Sequence, residues 1–177
     1  MYFTMSGQVL FHIKYKQLKS PINHVILYIL DAVNLQAMYQ KDYVLRMIEM
    51  LGDLIGAVLG LIKKGDYIKA SEGIGKIYYD MLKEDAGFFR KIPAGELTSR
   101  LLKEHNYTNG HLEILAELFN AEAELEFAKG NKSGSLEYFR KSILLFEFID
   151  MEQRTLYPER LNKMAAIRKR IEESLLG

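Results

Sequence analysis

One pattern occurs twice in this chain of 177 residues: an apolar stretch with helical spacing, a Gly-Asp or Gly-Asn step, and a second amphipathic stretch. The first copy runs Leu51 to Lys64, Gly65-Asp66, then Tyr67 to Leu82; the second runs Leu115 to Lys129, Gly130-Asn131, then Ser133 to Ile149. Lys63-Lys64-Gly65 is helix-ending chemistry: the cations face the negative end of the dipole and the glycine takes the left-handed position beyond it. Asp66 then offers a side-chain oxygen to the free N–H groups of the next helix. A helix stopped and restarted this abruptly turns back on itself. Two such hairpins predict an all-α fold of stacked antiparallel helix pairs, five or six helices in all, which works by presenting a surface.

The spacing predicts a helix from about Gln40 to Lys64, with Val44, Met47, Ile48, Leu51, Leu54, Ile55, Val58, Leu61 and Ile62 at i, i+3/i+4 intervals. Gly52, Gly56 and Gly60 form a second stripe on it, each costing roughly 1 kcal/mol against alanine, and close approach of a neighbouring helix would offset them. The following helix reaches about Lys83 and points Ile68, Ala70, Ile74, Ile77, Tyr78 and Met81 at the core. Residues 84–92 read as a turn or short helix that plugs the core with Phe88-Phe89. Pro93 opens a short helix through Leu97, Leu101 and Leu102. A third long helix covers Gly110 to Ala128, a fourth Gly134 to about Phe148, and Asp150 to Tyr157 is a polar connection. Pro158 starts a basic, narrow-faced last helix with a stripe of Leu161, Met164, Ala165, Ile171 and Leu175.

The first forty residues differ. Val9 to Lys16 alternates as a strand does, and His24 to Met38 carries a helical pattern. Asp31 interrupts the apolar run, which is too short for a membrane span and lacks a clear signal-cleavage site. The reading divides the chain into an N-terminal extension, 1–37, and a helical domain, 38–177, with Met38 as the natural start.

A net charge of +1 argues against a protein that grips nucleic acid. With no cysteine, disulfides and thiolate chemistry are excluded, and a cytoplasmic location is expected. No catalytic, metal or cofactor site is expected. His105 and His111 flank a turn and lack metal-ligand spacing. Gly73-x-Gly75 has no strand before it and is no phosphate loop. Ser133 and Ser135 suit a cap and a small packing site. No helix supplies the Glu-x-x-His pair of a di-metal bundle.

Glu113, Glu117, Glu122, Glu124 and Glu126 make the third helix acidic, with no Lys or Arg between Glu104 and Lys129. Two readings stand: a groove wall for a basic peptide or a cation, or a face offset by Arg160, Lys163, Arg168, Lys169 and Arg170 of the last helix. Tyr78, Tyr79, Phe88 and Phe89 likewise read either as core filling or as aromatic anchors of an interface.

Counted from Gly130 as the turn glycine, Phe119 and Ala123 fall at the large and small packing positions of the first helix of a tetratricopeptide repeat. Phe127 takes its late aromatic position, and Ser135, Phe139 and Ser142 fall at the small, aromatic and small positions of the second helix. Counted from Gly65, the set is Leu54, Val58 and Ile62, then Tyr67, Ala70, Ile74 and Ile77. Both copies resemble the repeat. The first departs from it by lacking the second-helix aromatic and by placing Val58 where the family wants Gly or Ala; neither ends in the closing proline. Asp42-Tyr43-Val44-Leu45-Arg46-Met47-Ile48-Glu49 also resembles the opening Asp-Tyr-x-x-Arg-x-Ile-Glu of a family of small bacterial proteins known as a tetratricopeptide-like domain of unknown function, over about residues 38–176. The resemblance implies a fold and no activity.

The expected function is therefore a non-enzymatic interaction module for a peptide or protein partner, with no nucleic acid and no membrane involved. On repeat geometry its groove is lined by Ile55, Leu59, Lys63, Glu117, Asn120 and Glu124. A self-associating homodimer is the alternative, because incomplete repeats expose their ends. A helical-bundle enzyme comes third.

Overall fold

In a computed structural model of the chain, the residues described are Tyr43, 46–154 and 157–176. The expected strand over Val9–Lys16, the helix over His24–Met38, the start at Met38 and the Gln40–Asp42 opening of the first long helix lie outside them. The described residues are all-α, with no strand among them. The helices are α1 (46–63), α2 (Tyr67–Leu82), α3 (Ala86–Arg90), a 3-10 turn at Ala94–Glu96, α4 (Leu97–Lys103), α5 (Asn109–Ala128), α6 (Lys132–Gln153) and α7 (Pro158–Leu176).

The two glycine turns are built alike. Gly65 and Gly130 have φ of +77° and +80°, the left-handed region that side-chain-bearing residues enter at a cost. Gly65 N–H donates to Ile62 O and Asp66 N–H to Leu61 O, each at 3.0 Å. Gly130 N–H donates to Phe127 O at 3.0 Å and Asn131 N–H to Glu126 O at 2.9 Å. These are the paired 5→2 and 6→1 bonds that satisfy a helix's last carbonyls. The next side chain caps the next helix: Asp66 accepts from Lys69 N–H, and Asn131 accepts from Gly134 N–H. Ser133, expected as the cap, instead donates its hydroxyl to Asn131 Oδ1 at 3.2 Å.

α2 and α6 both pack on α5, and α7 packs on α6. α5 is buried on nearly every side: Ile114, Ala121 and Leu125 are inside along with the expected Leu112, Leu115, Ala116, Leu118, Phe119 and Ala123. Tyr78 stacks on Phe89 at 5.4 Å and meets Phe119 edge-on at 6.5 Å, so two of the four singled-out aromatics fill the core while Tyr79 is exposed. The Tyr67 hydroxyl donates to Ala128 O at 3.1 Å and ties the start of α2 to the end of α5.

Several expectations are corrected, the helix count among them: seven α-helices stand among the described residues where five or six are expected. Ile68 is 75% exposed; Tyr67 and Ala70 supply the inward positions on either side of it. Gly52, Gly56 and Gly60 have nothing among the described residues within 4 Å of where a Cβ would stand. Among the described residues a close approach stands at Gly73, whose Cβ would lie 3.3 Å from Val58 Cγ2. α6 continues through Asp150 to Gln153, because Asp150 is held there by Arg160 and its polarity does not end the helix. The inward side of α7 is Arg160, Met164, Ile167 and Ser174, with Leu161 and Leu175 exposed. Reading only apolar residues misplaces that stripe, because two of the inward side chains are polar and have partners.

Candidate interaction surface

α5 carries its carboxylates on two sides, and the structure gives each side its own cations. Glu122 points inward toward α3 and is almost wholly buried. Both its oxygens accept from Arg90: Nε donates at 3.0 Å to each, and Nη2 donates to Oε1 at 2.8 Å. This forked geometry suits a planar guanidinium. Beside it the Lys141 ammonium, equally buried, donates to Arg90 O at 2.8 Å, pairs with Glu137 at 2.9 Å and sits 5.5 Å from the centre of the Phe119 ring. Two tyrosines complete the cluster. Burial, and then the Glu122 charge, push the Tyr138 phenol up to about 12 and Tyr78 well above its ordinary value. The Tyr78 hydroxyl makes no hydrogen bond of ordinary geometry among the described residues. A cavity of about 290 Å³ opens beside this cluster at the second turn, lined by Arg90, Glu122, Glu126, Lys129, Asn131 and Tyr138 among others. Its charges already have partners: Glu126 takes Lys129 at 3.0 Å and Asn131 Nδ2 at 2.6 Å. Those bonds outweigh burial and hold the Glu126 carboxyl below its usual range.

The other acidic side of α5 faces α7. Arg160 donates to Glu113 at 3.0 Å and pairs with Asp150 of α6. Lys163 pairs with Glu117. Arg170 forks onto Glu124 at 3.0 and 2.7 Å, and its guanidinium lies 4.7 Å from the centre of the Phe127 ring. The partners ascend together along both helices, 113 with 160, 117 with 163 and 124 with 170, so α7 runs parallel to α5. Arg168 adds a pair to Glu147 of α6 at 2.8 Å.

The six residues expected to line a groove are distributed as follows. Lys63 is exposed; Leu59 and Asn120 are half-buried. Ile55 gives its side chain to the core. Glu117 and Glu124 lie together under α7, on the Lys163 and Arg170 side chains. The Arg90–Glu122–Lys141 cluster was not anticipated from the sequence. The available signals were weak: Glu137 and Lys141 at i, i+4, and one carboxylate, Glu122, in phase with Leu115, Leu118 and Leu125.

His111, in the first turn of α5, accepts the Thr108 backbone N–H at Nδ1 at 3.2 Å and stacks on Tyr107. Burial holds its ring below the ordinary histidine value. No group of metal-ligating side chains gathers among the described residues, and none of their helices is long and apolar enough to cross a membrane. Compared with known proteins, the chain matches no family model, no curated protein and no solved structure.

Proposed function

We propose that the chain is a non-enzymatic binding module of tetratricopeptide-like hairpins, which presents the outward positions of its first helices to a peptide or protein segment. The observation that carries this reading is the repeated turn: the same glycine conformation, the same paired hydrogen bonds and the same side-chain cap at Gly65-Asp66 and Gly130-Asn131. The parallel course of α5 and α7 supports it, since alternate helices of a hairpin stack point the same way. α7 then stands where the first helix of a further hairpin would stand. A cytoplasmic location goes with this reading, because a chain without cysteine needs no oxidising compartment.

Of the proposed groove positions, Lys63 is exposed, Asn120 is half-buried and Leu59 packs partly against the core, so Lys63 is the one a partner meets first. The test is a pull-down from a host lysate with the parent chain and with the Lys63→Glu variant, whose exposed side chain leaves the fold intact. The reading expects at least one protein retained by the parent and reduced several-fold by the variant. An identical set of retained proteins would contradict it.

A further inference from the structure

Around the cavity at the second turn the charges are balanced and several polar atoms are idle. Its lining converges from four helices: Ser71 of α2, Arg90 of α3, Glu122 and Glu126 of α5, Glu137 and Tyr138 of α6. Arg90 pairs with Glu122 at 2.8 Å, Lys129 with Glu126 at 3.0 Å and Lys141 with Glu137 at 2.9 Å, so the group is neutral as a whole. Arg90 uses only Nε and Nη2 on Glu122, and its Nη1 makes no hydrogen bond among the described residues. The Ser71 and Tyr138 hydroxyls make none of ordinary geometry there either. Glu137 meets Lys141 at Oε1, which leaves Oε2 as an acceptor. Behind Glu122 the wholly buried Tyr78 hydroxyl is idle too. Polar atoms in and beside a closed space are ordinarily satisfied, by the protein or by what fills the space.

We propose that this cavity binds a small uncharged molecule bearing several hydroxyl groups, of the size of one sugar ring. The balance of charge argues for an uncharged ligand. An ionic one would either break an existing ion pair or stay unpaired beside the buried Glu122, and both are costly. The idle atoms argue for hydroxyls. Arg90 Nη1 donates, Glu137 Oε2 accepts, and the Ser71 and Tyr138 hydroxyls do either. A ligand of donors only, or of acceptors only, leaves part of that set unmatched, whereas a hydroxyl does both. The volume of about 290 Å³ lies at the small end of ligand sites. The walls are held in place without a ligand, since Arg90 forks onto Glu122 of α5 and takes Lys141 of α6 on its carbonyl. Such a preformed site loses little to ordering when it binds. The cavity shares no residue with the proposed groove, and the inference stands apart from the peptide-binding reading.

The test is a nuclear magnetic resonance titration of the isotope-labelled full chain with glucose, galactose, mannose, ribose and myo-inositol. Inorganic phosphate and butylammonium serve as the charged alternatives. A dissociation constant of about 5 mM is expected for so small a ligand, so titration to about 50 mM approaches saturation. At least one of the polyhydroxyl probes is expected to shift the amides of Ser71, Glu126, Lys129, Gly134 and Tyr138 along one saturable curve. Tyr138→Phe keeps the ring and removes the hydroxyl; Ser71→Ala removes the other. Each is expected to weaken binding about threefold or more. The proposal is overturned if no polyhydroxyl probe shifts these amides at the highest concentration, or if both variants bind as tightly as the parent. Saturation by phosphate or butylammonium alone also overturns it, since the cavity then selects charge. Failure on any of these counts leaves the Lys63-dependent capture standing.

Discussion

The hairpins α1–α2 and α5–α6 share a turn and differ in everything the turn does not control. Seven residues before and eight after the turn glycine, the first hairpin has Val58 and Gly73, in close contact; the second has Ala123 and Tyr138. The residue sizes at these two positions are exchanged between the hairpins, and Tyr138 stacks on Phe119 at 5.9 Å. Five and nine residues after the glycine the positions agree: Ala70 and Ile74 in one, Ser135 and Phe139 in the other, all fully buried. The described interior of the first hairpin holds no buried charge. The second buries Glu122 and Lys141, and its Ser142 donates to Ala116 O at 2.8 Å. The difference follows from position. α5 is covered by α2, α6 and α7, so its carboxylates are buried or half-buried and each needs a cation. Local chemistry fixes where the chain turns; coverage by neighbouring helices decides what the hairpin holds inside.

The largest effect should come from the buried charge that the first hairpin lacks. Arg90→Met leaves the Glu122 carboxylate in the core without its cation, and chemical denaturation should show a loss of about 3 kcal/mol. An unchanged midpoint would mean that Glu122 finds water or another donor.

Next is the exchanged size pair. Gly73→Leu drives a side chain into Val58 and should cost about 2 kcal/mol. Adding Val58→Ala, the arrangement of the second hairpin, should recover half or more of that loss. No recovery would show that the two hairpins do not pack in equivalent registers.

The turns themselves should respond alike. Gly65→Ala and Gly130→Ala each place a Cβ in the left-handed region and should each cost about 1 kcal/mol. Costs differing by more than about twofold would break the equivalence on which the repeat reading stands.

The smallest effect concerns the start of α5. His111 is neutral in the fold, where its Nδ1 accepts the Thr108 N–H, and its folded value lies below the unfolded one of about 6.5. The stability it contributes is complete above pH 6.5 and is lost as pH falls from there toward the lowered folded value. The loss should stay under about 1 kcal/mol, the worth of one cap, and His111→Gln should flatten this part of the stability-versus-pH curve. A variant with the same pH dependence as the parent would assign the effect to other groups.

Much of this fold is legible in the residues, for local reasons. Gly65-Asp66 and Gly130-Asn131 state their turns, Pro93 and Pro158 mark helix starts, and the stripes of α2 and α5 find most of the core. What is not legible depends on pairing across distance. Arg160 turns inward because carboxylates of α6 and α5 meet it, which no apolar periodicity in α7 reveals. Asp150 reads as the edge of a loop until Arg160 is placed beside it. The acidic face of α5 leaves open whether a partner or the chain itself supplies the cations; the structure supplies them from α7, at Arg160, Lys163 and Arg170.

The arrangement rests on α7 lying parallel to α5 in the register that joins Glu113 to Arg160 and Glu124 to Arg170. Because the chain has no cysteine, pairs of engineered cysteines take spin labels cleanly. Two doubly labelled chains, Ala128→Cys with Lys169→Cys and Ala128→Cys with Glu159→Cys, put that register to a distance measurement by pulsed electron resonance. With a helical rise of about 1.5 Å per residue, the first pair should be shorter than the second by about 10 Å or more. Equal distances, or the reverse order, would contradict the parallel register and with it the pairing of the α5 carboxylates with the cations of α7.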